Sequence, residues 1–328
     1  MNEQPHPPRR ILKASHVGYQ VLRWTEAGPI VAQVHGVFQR ACNLETPAGR
    51  LVTLLAPDRP GPANIVVPAL GQVLGQVQDD QSMTITPAHV EAPQANLMID
   101  LSSTPIWAGL APPNLPLPPP PARRAAVQVA MGIALSRAES PGLIHLLPDL
   151  AGEADTGPAS PSPGMGLGHS LQGGILRLAR SAVSRLETSL AEGELAAALD
   201  AATHLVGLGL GLTPSGDDLL TGLILTLKIA DQAPGSEVSG IDAFGQGVVE
   251  RAVARTTRVS VEQLRYAARG EAEETIAEAV MALLWAWDPL QPAIEALLDT
   301  GSSSGADLLA GMCIASTHLP LLLRRETS

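Results

Sequence analysis

The feature of this sequence that most constrains its fold is a change in the spacing of apolar residues near residue 120. Before that point, short β-rich apolar runs are separated by Gly, Pro, Asn and Asp; they include VGYQVLRW, PIVAQVHGVF, RLVTLLAP, ANIVVP, SMTITPAHV and NLMIDL. Closely spaced runs of this length are typical of an antiparallel sheet or a small barrel. After residue 120 the spacing becomes helical, as in residues 122–139. We therefore expect an α+β protein, with an antiparallel β-rich, barrel-like N-terminal domain followed by an all-α domain.

A proline-rich segment separates the two halves of the sequence. Residues 111–121 read APPNLPLPPPP, and such a run favours a stiff, extended conformation over helix or central strand. A chain of 328 residues is long enough for two domains. We predict a β-rich domain over 1–110, a connector over 111–121 and a helical domain over 122–328.

The helical half is predicted to contain nine helices. Their expected ranges are 122–139, 171–192, 194–206, 216–231, 241–255, 260–269, 271–287, 291–299 and 305–324. Between the first two lies a Gly-, Pro- and Ser-rich segment, residues 148–168, which we interpret as either a lid or a disordered loop. Ser260 and Gln263 have the spacing of a capping box, and Gly207 and Gly301 stand where helices are expected to end.

Composition excludes several classes of function. The net charge of −11 argues against a nucleic-acid or anionic-membrane partner. Cys42 and Cys313 lie in apolar surroundings without metal-ligand spacing, as expected of buried free thiols in a reducing cytoplasm. The N-terminus has no signal-peptide pattern, and the apolar stretch 306–323 contains Asp307, His318 and Pro320, so we expect a cytoplasmic protein without a membrane span. The sequence also has no zinc-hydrolase or serine-hydrolase motif.

One eight-residue motif occurs twice, 89 positions apart. Residues 215–222 read SGDDLLTG and residues 304–311 read SGADLLAG, each after a Gly/Ser-rich turn. The Ser-x-x-Asp spacing predicts a local capping box at the start of each helix, in which the Ser and Asp of one copy satisfy the first turn of their own helix. Gly222 and Gly311 then fall inside the helices, where the missing side chain allows another helix to approach closely. Capping and packing thus account for the shared part of the motif.

The first copy carries more than capping requires. Residues 207–216 read GLGLGLTPSG, with four glycines, and Asp217 adds a second carboxylate beside Asp218. The glycine spacing fits neither a Walker A loop nor a dinucleotide fingerprint. Because a helix start exposes N–H groups that hold anions, we predict a site for a small anion. Its expected residues are Gly209, Gly211, Thr213, Ser215 and Gly216 from the first copy, with Ser303, Ser304, Gly305 and Asp307 from the second.

The segment GLGLGLTPSGDDLLTGL resembles the GLGPGLTPSGDD-type signature of the AllH family, named for a subunit of oxamate carbamoyltransferase. Residues 34–44, VHGVFQRACNL, are similar to that family's V-H-S-V-F segment. The likeness extends to residues 256–271 and 301–312, and so spans most of the chain from about residue 30. The departures from the family pattern are Gly36, Leu210 and Ala306.

The resemblance implies a subunit of an enzyme complex of ureide (allantoin) catabolism. That enzyme converts oxalurate and phosphate to oxamate and carbamoyl phosphate. Its subunits are of three types, one of which is similar to acyl-CoA synthetases of the succinyl type. Every reactant is an anion and the transition state carries an oxyanion, so positioned donors matter more than a nucleophilic side chain.

The candidate catalytic residues are Asp217, Asp218 and His35. Either aspartate would hold the ureido N–H groups or bind Mg²⁺ through water; no other cofactor is expected. Asn43 and Arg255 are further candidates for substrate binding, although the arginine stripe of 251, 255 and 258 also fits a solvated helix face. Two alternatives stay open: a non-catalytic scaffold or regulatory subunit that binds a small anion, and a metal-dependent hydrolase of amide or ureido bonds.

Overall fold

The computed structural model describes residues 9–56, 59–137, 142–147, 167–287 and 289–323, with the backbone alone over 167–173. The chain divides into two compact units, residues 1–110 and 111–328. The first is built around a sheet and the second around helices, which confirms the predicted α+β class.

The N-terminal unit is one curled sheet of ten strands, in the part of the chain that the structure describes, with a short helix α1 (Tyr19–Thr25). The strands are β1 (Arg10–Lys13), β2 (His16–Gly18), β3 (Ile30–Val37), β4 (Ala41–Glu45), β5 (Leu51–Leu55), β6 (Asn64–Val66), β7 (Ser82–Ile85), β8 (His89–Ala92), β9 (Leu97–Asp100) and β10 (Ile106–Trp107). Their order across the sheet is β1-β9-β8-β7-β3-β4-β5-β6-β2-β10.

The sheet is mixed, whereas the sequence predicted an antiparallel one. Three neighbouring pairs are parallel, namely β1 with β9, β2 with β10 and β5 with β6. The β-rich runs locate the strands, but two of these pairings, β1 with β9 and β2 with β10, join segments far apart in the sequence, so local spacing does not encode them. The third joins consecutive strands, β5 and β6. Strand β3 also contains a bulge between Val34 and Gly36, where the extra residue is His35.

The C-terminal unit contains nine α-helices within the described ranges, matching the nine predicted. They are α2 (Pro120–Ser136), α3 (Leu167–Ala191), α4 (Leu195–Ala202), α5 (Ser215–Asp231), α6 (Ile241–Ala252), α7 (Arg258–Ala267), α8 (Glu274–Trp285), α9 (Leu290–Leu298) and α10 (Ser304–Leu322). A 3₁₀ turn, Leu143–Leu146, lies between α2 and α3. The predicted loop over 148–168 falls outside the described residues, except for its last two, which begin α3.

Several helix starts differ from the sequence prediction, and two of these differences have local reasons. Helix α2 begins inside the proline-rich segment, because prolines 120 and 121 occupy its first turn, where a missing N–H costs no hydrogen bond. Helix α7 begins at Arg258, and its cap is Thr257, whose hydroxyl accepts the N–H of Ser260 at 3.1 Å. The predicted capping box starting at Ser260 is therefore wrong.

Helices α5 and α10 form the centre of this unit and are buried along nearly their whole length. By length and composition α10 would suffice to cross a membrane, but 83% of its apolar window is buried inside the protein, as is also typical of a core helix. Both cysteines are free and buried, as predicted; burial raises the pKa of each thiol to about 12, and for Cys42 the Asp79 carboxylate adds to the rise.

Candidate functional site

The two copies of the repeated motif meet at the crossing of α5 and α10. Gly222 lies against the backbone of Leu308, and Gly311 lies against the backbone of Leu219, with no room for a Cβ at either position. The contacts are reciprocal because each helix offers the same motif to the other. This confirms that the two motif glycines allow a close helix approach, and it brings the first turns of both helices together.

Between these first turns, the serine of each motif copy is paired with the aspartate of the other copy. The Ser304 hydroxyl hydrogen-bonds with Asp218, and the Ser215 hydroxyl hydrogen-bonds with Asp307. Neither helix has a side-chain cap: the cap position of α5 is Pro214, which has no hydroxyl, and Ser303 at the cap position of α10 makes no capping hydrogen bond. The predicted local capping boxes are therefore wrong: each motif serine is already the first residue of its helix, so its hydroxyl reaches the neighbouring helix instead.

Four hydroxyl side chains, the hydroxyl rim, lie around the carboxyls of Asp218 and Asp307. Thr213 Oγ1 and Ser304 Oγ are 2.9 Å apart. The Thr213 hydroxyl also lowers the pKa of Asp218, and the Ser303 hydroxyl lowers the pKa of Asp307. These four hydroxyl residues, Thr213, Ser215, Ser303 and Ser304, are half-buried. The structure thus brings together the predicted residues of both motif copies, with hydroxyls at the surface and carboxyls beneath.

Asp218 and Asp307 are 1% and 0% exposed. One oxygen of Asp307 accepts the backbone N–H of Leu143 at 2.6 Å. Among the described residues, Oδ2 of each aspartate lacks a well-aligned hydrogen-bond partner. Since a buried charge without full compensation is costly, both carboxyls are driven towards their neutral forms.

The pKa values follow from this burial. Burial raises the pKa of Asp218 well above its usual range; the hydroxyls of Ser304 and Thr213 lower it by less, and the Asp307 carboxylate raises it further. Burial raises the pKa of Asp307 to about 7, against the lowering effect of the Leu143 N–H and the Ser215 and Ser303 hydroxyls. At neutral pH this centre therefore holds a proton.

Asp217, which only the first copy carries, holds the glycine-rich loop in place. Its Oδ1 accepts the N–H of Gly207 at 2.8 Å, and its Oδ2 accepts the Thr256 hydroxyl. Burial raises its pKa, while Thr256, Gly207 and the Ser260 hydroxyl lower it. The Thr257 hydroxyl adds a bond to the carbonyl of Leu212 at 2.5 Å. The loop is thus fastened to the turn before α7, and both Asp217 oxygens are occupied.

The glycines of this loop serve its backbone path. Gly207 and Gly209 have φ angles of +74° and +139°, and a Cβ on either would collide with backbone, of Arg255 and of Ser215 respectively. Gly211, with φ of +93°, faces open space. Between the glycines, Leu210 and Leu212 are 68% and 46% exposed.

The N–H groups at the start of α5 are already used within the chain. That of Gly216 donates to the carbonyl of Leu208 at 2.8 Å, and those of Asp217 and Asp218 donate to Pro214. In α10, the N–H of Gly305 donates to Thr300 and that of Asp307 to Ser303. Ligand donors at this site therefore come from side-chain hydroxyls rather than from these amides.

The remaining candidates belong to other elements. His35, at the β3 bulge, has its Nδ1 3.4 Å from Glu45 Oε2, and Asn43 accepts the Thr53 hydroxyl at 3.0 Å; both belong to the N-terminal unit. Arg255 is exposed in the link between α6 and α7. Within the described ranges, no group of three or more His, Cys, Asp and Glu side chains is arranged to hold a metal ion.

Sequence reasoning missed two contributions to the site. The Leu143 N–H comes from a turn 164 residues away from Asp307, and only Gly142, where backbone passes against the Asp307 carboxylate, marks the place. The role of Thr256 as a hydrogen-bond partner of Asp217 was also missed, although Thr256 lies in the family-like segment 256–271.

Two family models match the chain. The model for oxamate carbamoyltransferase subunit AllH matches residues 205–316, and the model for the AllH family N-terminal domain matches residues 13–106. The first match runs from the glycine-rich loop through most of α10 and so contains the whole hydroxyl and carboxyl site. No solved structure matches the chain.

Proposed function

The chain belongs to the AllH family of oxamate carbamoyltransferase subunits, and from this membership we propose that it works in an enzyme complex that transfers a carbamoyl group between oxalurate and phosphate. A phosphate oxygen attacks the ureido carbon of oxalurate, and the bond from that carbon to the inner nitrogen breaks. The proton lost by phosphate goes to the departing nitrogen, which gives oxamate and carbamoyl phosphate.

The observation that carries this proposal is the hydroxyl rim above two buried carboxyls at the α5–α10 crossing. Acyl transfer needs donors that are fixed before the reaction, in surroundings with little water. The hydroxyls of Thr213, in the turn before α5, and of Ser304, at the start of α10, lie 2.9 Å apart, and tight glycine contacts hold the two helices together. A carbamoyl group bound here would meet positioned hydroxyls on one side and carboxyl oxygens on the other.

Each part of the site has a distinct role in this proposal. The hydroxyls of Thr213, Ser215, Ser303 and Ser304 orient the substrate, and Asp218 holds its N–H groups. Asp217 is a positioning residue, because its oxygens bond to Gly207 and Thr256. Both Asp217 oxygens are thus engaged within the chain, which makes Asp217 less suited than Asp218 to hold Mg²⁺ in the metal-dependent alternative.

The proposed enzyme complex contains further subunits besides this chain. Membership as a carbamoyltransferase subunit implies partner subunits; we propose that one of them resembles acyl-CoA synthetases of the succinyl type. We place the complex in the cytoplasm, in the breakdown of ureides such as allantoin.

Co-expression with the genes neighbouring this one tests the proposal. The purified complex should form carbamoyl phosphate from oxalurate and phosphate. Ser304→Ala should lower kcat/KM by about 100-fold, the effect of removing one oxyanion donor, whereas Ser302→Ala, an exposed neighbour in the same turn, should leave it unchanged. A complex that assembles without making carbamoyl phosphate would refute the function, and equal rates for both variants would point to a scaffold role.

A further inference from the structure

The charge at the α5–α10 site is unfavourable for an anionic group. Three buried aspartates, Asp217, Asp218 and Asp307, lie at the two helix starts. The charged groups that act on Asp218 are the carboxylates of Asp307 and Asp217, and no cation among the described residues does so. Five N–H groups of the first turns are paired within the chain, those of Gly216, Asp217, Asp218, Gly305 and Asp307. A carboxylate or phosphate placed directly against Asp218 would therefore meet negative charge with little compensation.

The elements packed against α5 and α10 do not change this balance. Arg123 of α2 donates to the Pro118 carbonyl at 2.6 Å, and Glu262 of α7 is paired with Arg265 at 2.5 Å. His145 of the 3₁₀ turn is exposed. None of these groups acts on Asp218, so the protonation of Asp218 depends on its burial and on the other two carboxylates.

Asp218 and Asp307 differ in what lies next to them. The backbone at Gly142 and Leu143 passes directly against Oδ1 of Asp307. Asp218 is bordered instead by the half-buried hydroxyls of Thr213 and Ser304. These two hydroxyls are bonded to each other at 2.9 Å, so a ligand that replaces this bond reaches Asp218, while Asp307 stays behind it as the neighbouring carboxyl group.

Building on the proposed function, we propose that Asp218, whose Oδ2 is buried without a hydrogen-bond partner among the described residues, is the specificity-determining residue that binds the terminal carbamoyl group of the substrate. A carboxylic acid and a primary amide are complementary: the Asp218 O–H donates to the carbamoyl oxygen, and the other Asp218 oxygen accepts a carbamoyl N–H. The anionic end of the substrate points outwards, away from the aspartates. Asp307 is a positioning residue that keeps the proton on Asp218.

This arrangement selects an amide over a carboxylate of the same size. Oxamate carries a terminal CONH₂ where oxalate carries a second carboxylate, so the two ligands differ only at the group that meets Asp218. Oxalate supplies no N–H and adds a negative charge next to buried acids. A site built to hydrogen-bond one polar group discriminates strongly against a ligand that leaves its partners unpaired.

Calorimetric binding to the intact chain at neutral pH tests the inference, with oxamate and oxalate as probes. We expect oxamate to bind at least about tenfold more tightly than oxalate. Asp218→Asn, which still offers an N–H and a carbonyl, should keep the preference for oxamate, and Asp218→Leu should abolish it. Asp200→Asn, at an exposed aspartate of α4, is the matched control, and unchanged melting temperatures show that the variants fold.

Tighter or equal binding of oxalate, no binding of either probe, or loss of the preference in Asp218→Asn as complete as in Asp218→Leu would overturn the inference. If the complex makes carbamoyl phosphate while this subunit prefers oxalate, the inference is wrong and the proposed function stands. If the complex is inactive while this subunit still selects oxamate through Asp218, the proposed function is wrong and the inference about Asp218 stands.

Discussion

Replacing Gly311 with alanine tests the close contact on which the whole site rests. A Cβ at this position would lie 1.9 Å from the carbonyl oxygen of Leu219 and 2.7 Å from the nitrogen of Leu223. Real Cβ atoms essentially never approach another heavy atom within 3.0 Å, so the helices would have to separate by at least about 1.1 Å. Both obstructing atoms are backbone, and no change of rotamer relieves them.

The cost can be estimated from the effect of overpacking. Extra methyl groups in a packed core cost about 1–3 kcal/mol and occasionally more, and this site lies at the upper end because two buried helices must move. Against this, Ala in place of Gly favours the helix by roughly 1 kcal/mol. We expect a net loss of about 2–3 kcal/mol, which for a unit of this size lowers the Tm by roughly 4–12 °C.

Thermal unfolding followed by circular dichroism measures the effect, with Gly132→Ala as the matched control. Gly132 lies inside α2, and a Cβ there would meet nothing within 4 Å, so this substitution should raise the Tm by a few degrees, as expected from a gain of roughly 0.5–1 kcal/mol. If Gly311→Ala also raised the Tm, the close packing of α5 against α10 would be refuted. The pairing of each motif serine with the aspartate of the neighbouring helix would then be refuted as well.

Three further predictions follow from the buried polar groups. Thr256→Val should cost about 1–3 kcal/mol in urea unfolding, because Asp217 Oδ2 loses its donor; an effect no larger than that of Thr188→Val, on the exposed face of α3, would contradict the role of this bond. The raised pKa of Asp307, about 7, means that the folded state holds its proton more tightly than the unfolded state. Relative to Asp307→Asn, the wild type should therefore lose stability as pH rises from about 4 to about 7, by up to about 1.4 kcal/mol per pH unit, and parallel pH profiles would rule this out. Cys42 and Cys313, with pKa values raised to about 12 by burial, should react with a thiol reagent only after unfolding; rapid labelling of the native protein would show that one of them is accessible.

Much of the fold could be predicted because it depends on local patterns. The period of apolar residues distinguishes strand from helix without reference to the rest of the chain, and this gave the α+β class and the nine helices of the C-terminal unit. The strand order could not be predicted in this way. The parallel pairing of β1 with β9 joins residues 10–13 to residues 97–100, and alternation within a strand is the same whichever strand lies beside it.

The site shows the same division more sharply. The sequence by itself marked the candidate residues at the α5–α10 crossing, because the repeated motif with its serines, aspartates and glycines is visible in the sequence. It assigned Ser215 to Asp218 and Ser304 to Asp307, since these residues are three apart. The tertiary structure alone decided that Ser215 is paired with Asp307 and Ser304 with Asp218. It also decided that Asp217 stabilises the glycine-rich loop through hydrogen bonds to Gly207 and Thr256. Side chains in neighbouring helices compete with local partners for the same hydrogen bonds, and the close packing at Gly222 and Gly311 favours the neighbouring helix.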